Sequence, residues 1–230
     1  DAAGFYLGNP GAHSFGTVTA IAGLAAALGT RNRYAASSLD QNPKHASSIL
    51  LYGNFLSIPV PDIDRTDFLL MLGANPMVSN GSLMSAPGFR RRLRALHARG
   101  GRLVVVDPRR SETAALADAH IAIEPGRDPL LLAALVRVVL EEGLGRPSHL
   151  DDLVDGRAAL AEALAPFRPE SVEGDLGLPA ERLRALAREL AAAPSAACYA
   201  RLGTCVSSFG TLTSWLVDVL CLVTGNLDRE

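Results

Sequence analysis

The 230-residue sequence contains only three cysteines, Cys198, Cys205 and Cys221. Their wide spacing does not match the closely paired cysteines of zinc or iron–sulfur motifs, and an odd number argues against a disulfide framework. Each cysteine lies in an apolar stretch, where a buried and unreactive thiol is the usual outcome. We therefore expect structural thiols at all three positions.

Neither sign of charge is in clear excess, since 22 lysines and arginines face 24 aspartates and glutamates, for a formal net charge of −2. Binding to nucleic acid or to an anionic membrane surface needs a basic excess, so neither partner is predicted. The longest apolar stretch, Thr17–Leu28, is too short to cross a bilayer, and no membrane insertion is predicted. A local group of arginines is interpreted as the solvated face of a helix: Arg90, Arg91, Arg92, Arg94 and Arg99.

Several familiar motifs are missing. No G-x-G-x-x-G follows a predicted strand, which argues against an ordinary NAD or FAD site, and there is no G-x-S-x-G elbow or paired-histidine metal motif. The glycine-rich turn Gly8–Gly11, followed by Gly16 and Thr17, lacks the lysine of a P-loop. These absences exclude the commonest nucleotide-binding and hydrolytic fingerprints.

Three apolar runs that end abruptly in polar, turn-forming residues are present: Thr66–Pro76, Arg102–Thr113 and His120–Asp128. Apolar runs separated by helical patterns are typical of buried strands in a parallel sheet. The sequence therefore predicts an α/β fold with a doubly wound, mostly parallel, Rossmann-like sheet and helices on both faces.

The predicted elements follow from this periodicity. Strands are predicted over Phe5–Leu7, Phe68–Leu72, Leu103–Val106, Ile121–Ile123 and Ala196–Leu202. Helices are predicted over Phe15–Leu28, Ala46–Tyr52, Met84–Ala98, Glu112–Ala117, Pro129–Glu142, Leu150–Leu164, Pro179–Ala193 and Phe209–Val223.

The ends of the three central strands carry groups suited to a nucleotide. In parallel sheets ligands bind in the crevice beyond the carboxyl ends of the strands. Gly73 allows close backbone approach, and the Asn75 amide can both donate and accept, although Asn-Pro also favours an ordinary turn. Asp107 can accept from ribose hydroxyls and Arg109 can pair with phosphate, with a simple surface ion pair as the alternative.

The third strand ends in Pro125-Gly126-Arg127-Asp128. The Asp128 carboxylate matches the amino and ring N–H donors of guanine, and the same residue is placed to cap the following helix. The two roles are compatible with each other. Three such loops in succession make a dinucleotide site the leading interpretation.

The segments LLMLGANPMVSNG, GGRLVVVDPRRSETAALADAHIAIEPGRDPLLLAAL and TLTSWLVDVLCLVTGNLDR together resemble the molybdopterin-dependent oxidoreductases of the dimethyl sulfoxide reductase and formate dehydrogenase group. The resemblance extends from about Tyr6 to Arg229 and implies an internal domain of a molybdenum or tungsten enzyme with two pterin guanine dinucleotides, one of them bound here. It implies these cofactor-binding residues: Gly73, Asn75, Asp107, Arg109, Gly126, Asp128 and, near the pterin, Gly203.

The family resemblance also places a metal-ligand position in Asp40–Ser48. The formate dehydrogenase and periplasmic nitrate reductase relatives carry a cysteine or selenocysteine there, whereas this chain has Lys44, and His45 matches the formate dehydrogenase histidine. Lysine is a poor ligand for a metal that favours thiolate or oxygen donors. Either the register differs by one residue or the metal has no protein thiolate, so no metal ligand is assigned. His45 is the candidate acid–base residue.

The resemblance divides the chain into residues 1–60, a segment of a neighbouring pterin-contacting domain with a linker; residues 61–204, the dinucleotide-binding domain; and residues 205–230, a helix leading to the next domain. The family's iron–sulfur cysteines would lie in an N-terminal region outside this sequence. The implied partners are the other domains of the same polypeptide and an electron-transfer subunit. Localisation stays open with the cytoplasm favoured, since the absence of disulfide-like cysteine patterning permits a cytoplasmic location without requiring it.

Three functions remain open at this level. The first is a molybdopterin oxidoreductase domain that is inactive as an isolated chain. The second is a non-catalytic scaffold or assembly subunit that keeps the dinucleotide-binding fold, which the lysine at position 44 favours. The third is another nucleotide-binding α/β enzyme using NAD or thiamine diphosphate.

Overall fold

The computed structural model describes residues 3–8, 11 and 14–229. Asn9 and Pro10 of the predicted glycine-rich turn lie outside the described residues. The strands are β1 (Phe5–Leu7), β2 (Arg33–Ala35), β3 (Phe68–Leu72), β4 (Arg102–Val106), β5 (Ala119–Ile121) and β6 (Ala196–Ala200). The helices are α1 (Phe15–Ala27), α2 (Ser37–Asp40), α3 (Asn42–Tyr52), α4 (Pro76–Ser79), α5 (Phe89–Ala98), α6 (Asp128–Glu141), α7 (Arg157–Ala163), α8 (Pro169–Leu176), α9 (Ala180–Ala192), α10 (Leu202–Cys205) and α11 (Gly210–Val223).

Four strands form one sheet in the order β5-β4-β3-β6, and every pairing is parallel. The chain runs outward from β3 through β4 to β5 and then returns to add β6 on the other side of β3. The strand order therefore reverses between β3 and β6, which is where an open parallel sheet forms a ligand crevice. Strands β1 and β2 pair separately as a two-stranded parallel ribbon.

Both faces of the sheet are covered, as predicted. Alternate side chains of β3 divide between two apolar clusters because successive side chains of a strand point to opposite faces. Phe68, Leu70 and Leu72 pack into the larger cluster with residues of α6, α9 and α11. Leu69 and Met71 pack into the smaller cluster with residues of α5. The α/β fold with parallel strands and helices on both faces is confirmed.

The outer edge of β6 is capped by side chains instead of another strand. The Ala196 amide donates to Asn226 Oδ1 at 3.0 Å, and the Cys198 amide donates to Cys221 Sγ at 3.3 Å. These contacts satisfy edge groups that would otherwise be open to pairing with another chain. Burial raises the pKa of Cys221 to about 12, so its thiol stays protonated. Cys198 and Cys205 are buried and Cys221 is half-buried, consistent with structural thiols.

Several predicted boundaries were wrong. Strand β5, predicted over Ile121–Ile123, covers Ala119–Ile121 and so begins two residues earlier, because its register on β4 pairs Val104 with Ala119. The long helix predicted from Met84 begins only at Phe89, since Ser85 and Gly88 adopt positive φ angles that a helix cannot continue through.

Other differences lie in the helical segments. The predicted helix Glu112–Ala117 is a single 3₁₀ turn, Ala114–Leu116. The predicted helix Leu150–Leu164 is a 3₁₀ turn followed by α7, separated by Gly156 at φ +83°. Strand β2 and helix α8 were not predicted. Each is short, and three exposed residues in β2 give no burial pattern to recognise.

Candidate functional site

Gly73 and Gly203 meet at the point where the strand order reverses. The Gly203 amide donates to the Gly73 carbonyl at 3.0 Å. A Cβ on Gly73 would lie 2.8 Å from the Gly203 Cα, and a Cβ on Gly203 would lie 2.7 Å from the Gly73 Cα. Gly73 also has φ +53°. The two glycines predicted to approach the cofactor therefore also allow the loops after β3 and β6 to touch.

Asn75 connects the loop after β3 to the loop after β4. Its Oδ1 accepts from the amide of Thr113 at 3.2 Å and from the Thr113 hydroxyl at 2.8 Å. Its Nδ2 donates to Glu112 Oε2 at 2.6 Å. The sequence analysis expected the Asn75 amide both to donate to a nucleotide ligand and to accept from it. In the structure both ends of the amide bond to neighbouring side chains, and one hydrogen of Nδ2 remains for a ligand.

Asp107 and Arg109 lie in the exposed turn that follows β4. Asp107 Oδ1 accepts from the Arg109 amide at 2.8 Å, which closes the turn. The Asp107 carbonyl lies 2.8 Å from His120 Nε2 of β5. The Arg109 guanidinium is exposed and lies 3.4 Å from Glu112 Oε2, so the alternative of an Asp107–Arg109 side-chain pair is not what forms.

Asp128 is the buried carboxylate of the site and is 6% exposed. It is the first residue of α6, one position earlier than predicted, and no side chain caps this helix. Burial, with a smaller contribution from Asp107, raises the pKa of Asp128 to about 6, although its own backbone amide opposes the shift. Gly126, with φ +84°, opens the loop before it, and the nearest atom to an added Cβ is the Ser207 Cβ at 4.0 Å.

His45 lies on α3, with both ring nitrogens in contact. Nδ1 is 2.7 Å from the Phe55 carbonyl, and Nε2 is 3.0 Å from Gln41 Nε2. In this arrangement Nδ1 donates to the Phe55 carbonyl and Nε2 accepts from the Gln41 side-chain amide. The catalytic role of His45 stays a prediction.

Lys44 is turned into the protein interior. Its Nζ lies 3.4 Å from Asp218 Oδ1 on α11, and the two side chains are 2% and 4% exposed. Burial raises the pKa of Asp218, and the Lys44 ammonium opposes this shift. Lys44 thus forms an ion pair that joins α3 to α11. No cluster of three or more histidine, cysteine or acidic side chains able to hold a metal occurs within residues 3–8, 11 and 14–229.

We expect Lys44→Met to destabilise the fold by about 3–5 kcal/mol, because it leaves the Asp218 carboxylate buried without its partner. The double variant Lys44→Met/Asp218→Leu should lose less than the single variant, since no charge is then stranded. Denaturant unfolding of both variants measures the difference. A single variant as stable as the wild type would contradict the ion-pair assignment.

The sequence interpretation missed Glu112, Thr113 and His120 as parts of the site. Glu112 and Thr113 stand inside the run RLVVVDPRRSET, but only their contacts with Asn75 across 37 and 38 positions reveal their role. His120 was given no role in the sequence analysis, although it begins the third strand-end segment. Contacts between loops of neighbouring strands leave no local sequence pattern.

The residues fit a guanine dinucleotide at this edge. Asp128 offers a desolvated carboxylate that receives no side-chain hydrogen bond within residues 3–8, 11 and 14–229. Asn75 offers an amide hydrogen, and Arg109 offers an exposed guanidinium. These groups lie on loops that follow three adjacent parallel strands. Carboxylate to base and guanidinium to phosphate are the complementary pairings.

Comparison with known proteins shows the family to which this fold belongs. The family model of the molybdopterin oxidoreductases matches residues 7–198. Formate dehydrogenase H of Escherichia coli (strain K12) is 31% identical over 205 residues, which cover 89% of this chain and 28% of that protein. The assimilatory nitrate reductase of Haloferax mediterranei is 32% identical over 208 residues, which cover 88% of this chain and 27% of that protein.

The solved structure of acetylene hydratase from Pelobacter acetylenicus has the same fold, with a TM-score of 0.75 and 22% identity over 93% of this chain and 28% of that one. The chain thus spans between about one sixth and a little over one quarter of its relatives' own length, from 16% to 28%. No helix within the described residues is long and apolar enough to cross a membrane. The match over residues 7–198 shows that this chain belongs to the molybdopterin oxidoreductase family.

Proposed function

We propose that this chain is the dinucleotide-binding part of a bis(pterin guanine dinucleotide) oxidoreductase and that it holds one of the two dinucleotides. The observation that carries the proposal is the buried Asp128 carboxylate, which receives no side-chain hydrogen bond from any residue that the structure describes. Asp128 accepts from the guanine ring and amino N–H groups, Asp107 from ribose, and Asn75 with Arg109 donates to phosphate. Gly73, Gly126 and Gly203 let the backbone approach. The cofactor supplies a redox-active molybdenum or tungsten, and the chain's residues orient it.

Guanine recognition can be tested on apoprotein of the complete polypeptide, produced in a host that lacks the pterin cofactor. Asp128 pairs with two donors of guanine, so guanosine diphosphate should bind more tightly than inosine diphosphate, which lacks the amino group. Loss of one hydrogen bond to a charged group lowers affinity by roughly 10-fold. Adenosine diphosphate lacks both donors and should bind weakest. Equal affinity for all three would contradict the assignment.

The affinity for guanosine diphosphate should fall as the pH drops below about 6, because protonation of Asp128 removes a hydrogen-bond acceptor.

The stability of the protein without ligand should instead rise as the pH drops below about 6. A carboxyl whose pKa is raised in the folded state destabilises the fold where it is ionised, so this penalty is present above about pH 6 and is lost toward pH 4. Asp128→Asn should abolish both pH effects, as titration calorimetry and thermal unfolding between pH 5 and 8 would show.

Large apolar side chains on the surface support the proposal that this chain packs against further domains. Phe15, Leu50 and Leu56 are 85%, 73% and 68% exposed. In α1, Ala25 is buried while most of the apolar helix is exposed. A helix that is apolar on every side is typical of one covered by other parts of a protein. We propose the remainder of the polypeptide as that cover, with residues 61–204 as the dinucleotide-binding domain.

The purified 230-residue chain should be inactive, because it spans only 28% of its formate dehydrogenase relative and the remaining site would come from other domains. Dye-linked assays with formate and with nitrate should give background rates. Turnover above background by the chain alone would contradict this expectation.

A scaffold role is the second candidate function. The observation that favours it is the buried Lys44, which stands where the family resemblance implies a thiolate ligand.

A further inference from the structure

We propose that Glu112 is a positioning residue that fixes Asn75 and Arg109 relative to each other for binding the dinucleotide phosphates. The inference rests on the proposed function of those two residues. Glu112 Oε2 accepts from Asn75 Nδ2 at 2.6 Å and lies 3.4 Å from Arg109 Nη2. One carboxylate oxygen therefore joins a donor on the loop after β3 to a donor on the loop after β4.

The opposite end of the Asn75 amide is fixed by Thr113. The Thr113 amide and hydroxyl both donate to Asn75 Oδ1, while the same hydroxyl accepts from the Met77 amide at 3.1 Å. We call the contacts of Glu112 and Thr113 with the two ends of the Asn75 amide the bracket around Asn75. Thr113 is fully buried, so the Thr113 side of this bracket is held firmly in place. With Oδ1 held by Thr113 and one Nδ2 hydrogen held by Glu112, the remaining Nδ2 hydrogen has a single direction. That hydrogen is the one available to a phosphate oxygen.

Arg109 depends on Glu112 for a different reason. Its guanidinium is 67% exposed, and Glu112 is its ion-pair partner among the described residues. A long exposed side chain loses conformational freedom when it binds a ligand, and a partner that restricts it in advance lowers that cost. Glu112 is ionised at neutral pH, since its own backbone amide, Asn75 and Arg109 together lower the pKa of its carboxyl.

The Glu112 carboxylate also repels a phosphate. Its removal should therefore lower the affinity for the ligand if positioning dominates and raise the affinity if repulsion dominates. Glu112 is 56% exposed, and solvent screens the repulsion. The hydrogen bond from Asn75 Nδ2 to Glu112 Oε2 is exposed too, but it is short, 2.6 Å, and the Oδ1 end of the same amide is held by Thr113 in partly buried contacts, so the direction of the amide depends on both residues. We therefore expect the positioning effect to exceed the repulsion and removal of Glu112 to weaken binding.

The test measures guanosine diphosphate affinity in the apoprotein of the complete polypeptide. Glu112→Ala should weaken binding by about 10-fold, because Asn75 and Arg109 must then be ordered at the moment the phosphates bind, at a cost of about 0.5–1.5 kcal/mol for each side chain. Glu112→Gln keeps an oxygen acceptor for Asn75 and should recover most of that loss. The matched control is Glu181→Ala, which removes another exposed glutamate that pairs with an arginine, Arg188. It should leave binding unchanged.

Two further readouts separate positioning from general stability. The thermal midpoint of Glu112→Ala should equal that of the wild type, and in an Arg109→Ala background the Glu112→Ala effect should shrink, because the two residues act together. Unchanged or tighter binding by Glu112→Ala overturns the inference while leaving the proposed function intact. A wild-type protein that does not bind guanosine diphosphate overturns both. Equal losses in Glu112→Ala and Glu112→Gln overturn the assigned hydrogen-bonding role.

Discussion

Asp128→Ala is expected to lower the affinity of the apoprotein for guanosine diphosphate by about 100-fold, since two hydrogen bonds to a charged, desolvated acceptor are lost at once. Asp128 is 6% exposed, and no described side chain donates a hydrogen bond to it. The carboxylate oxygens are therefore not already engaged by another side chain of the described protein. Isothermal titration at pH 8, where the carboxyl is ionised, gives the largest contrast with the wild type.

Stability should change in the opposite direction from affinity. A pKa raised from 3.8 to about 6 corresponds to a penalty of about 3 kcal/mol when the carboxylate is ionised without a ligand. Asp128→Asn should therefore raise the thermal midpoint of the apoprotein at pH 8 while weakening nucleotide binding. The exposed Asp152→Ala serves as the control and should change neither quantity. If an Asp128 variant binds guanosine diphosphate as tightly as the wild type does, Asp128 is not the residue that recognises guanine.

Gly73→Ala is the second change with a large expected effect. The new Cβ would lie 2.8 Å from the Gly203 Cα and 2.9 Å from the Thr204 amide nitrogen, at a residue whose φ is +53°. Both neighbours are backbone atoms and cannot move without shifting the loop after β6. We expect destabilisation of about 3 kcal/mol or more, or failure to fold.

Gly100→Ala provides the matched control for this substitution. Gly100 has φ +84° with no atom within 4 Å of an added Cβ, so it carries the backbone strain without the clash. It should cost about 1 kcal/mol, the usual price of an unfavourable φ for alanine. If thermal unfolding gives the same loss at both positions, the Gly73–Gly203 contact is not what requires glycine at residue 73.

The central sheet could be predicted from the sequence because its signal is local. The runs that form β3 and β4 are continuous apolar stretches bounded by turn residues, and both strands lie within one residue of their predicted bounds. The fifth strand was misplaced because Ala119 and His120 are weak strand formers and only pairing with β4 fixes them. Register between strands is a tertiary property.

In the site, too, the features with a local sequence signal were predicted and the contacts between distant residues were not. The strand-end loops that carry Asp107 and Asp128 were found because parallel strands place their carboxyl ends together. The contacts that set the chemistry were not found. The closure of Gly73 on Gly203, the bracket of Glu112 and Thr113 around Asn75, and the pairing of Lys44 with Asp218 join residues 37 to 174 positions apart. No spacing rule links residues at such distances.

The central claim is that this chain holds one dinucleotide of a bis(pterin guanine dinucleotide) cofactor. The most direct measurement is the metal and guanosine monophosphate released by acid from the complete polypeptide, purified under molybdate-replete conditions. The account predicts one molybdenum or tungsten and two guanosine monophosphate equivalents per polypeptide, with the nucleotide yield reduced by Asp128→Ala. Folded protein that releases neither metal nor nucleotide would contradict it and would favour the scaffold role.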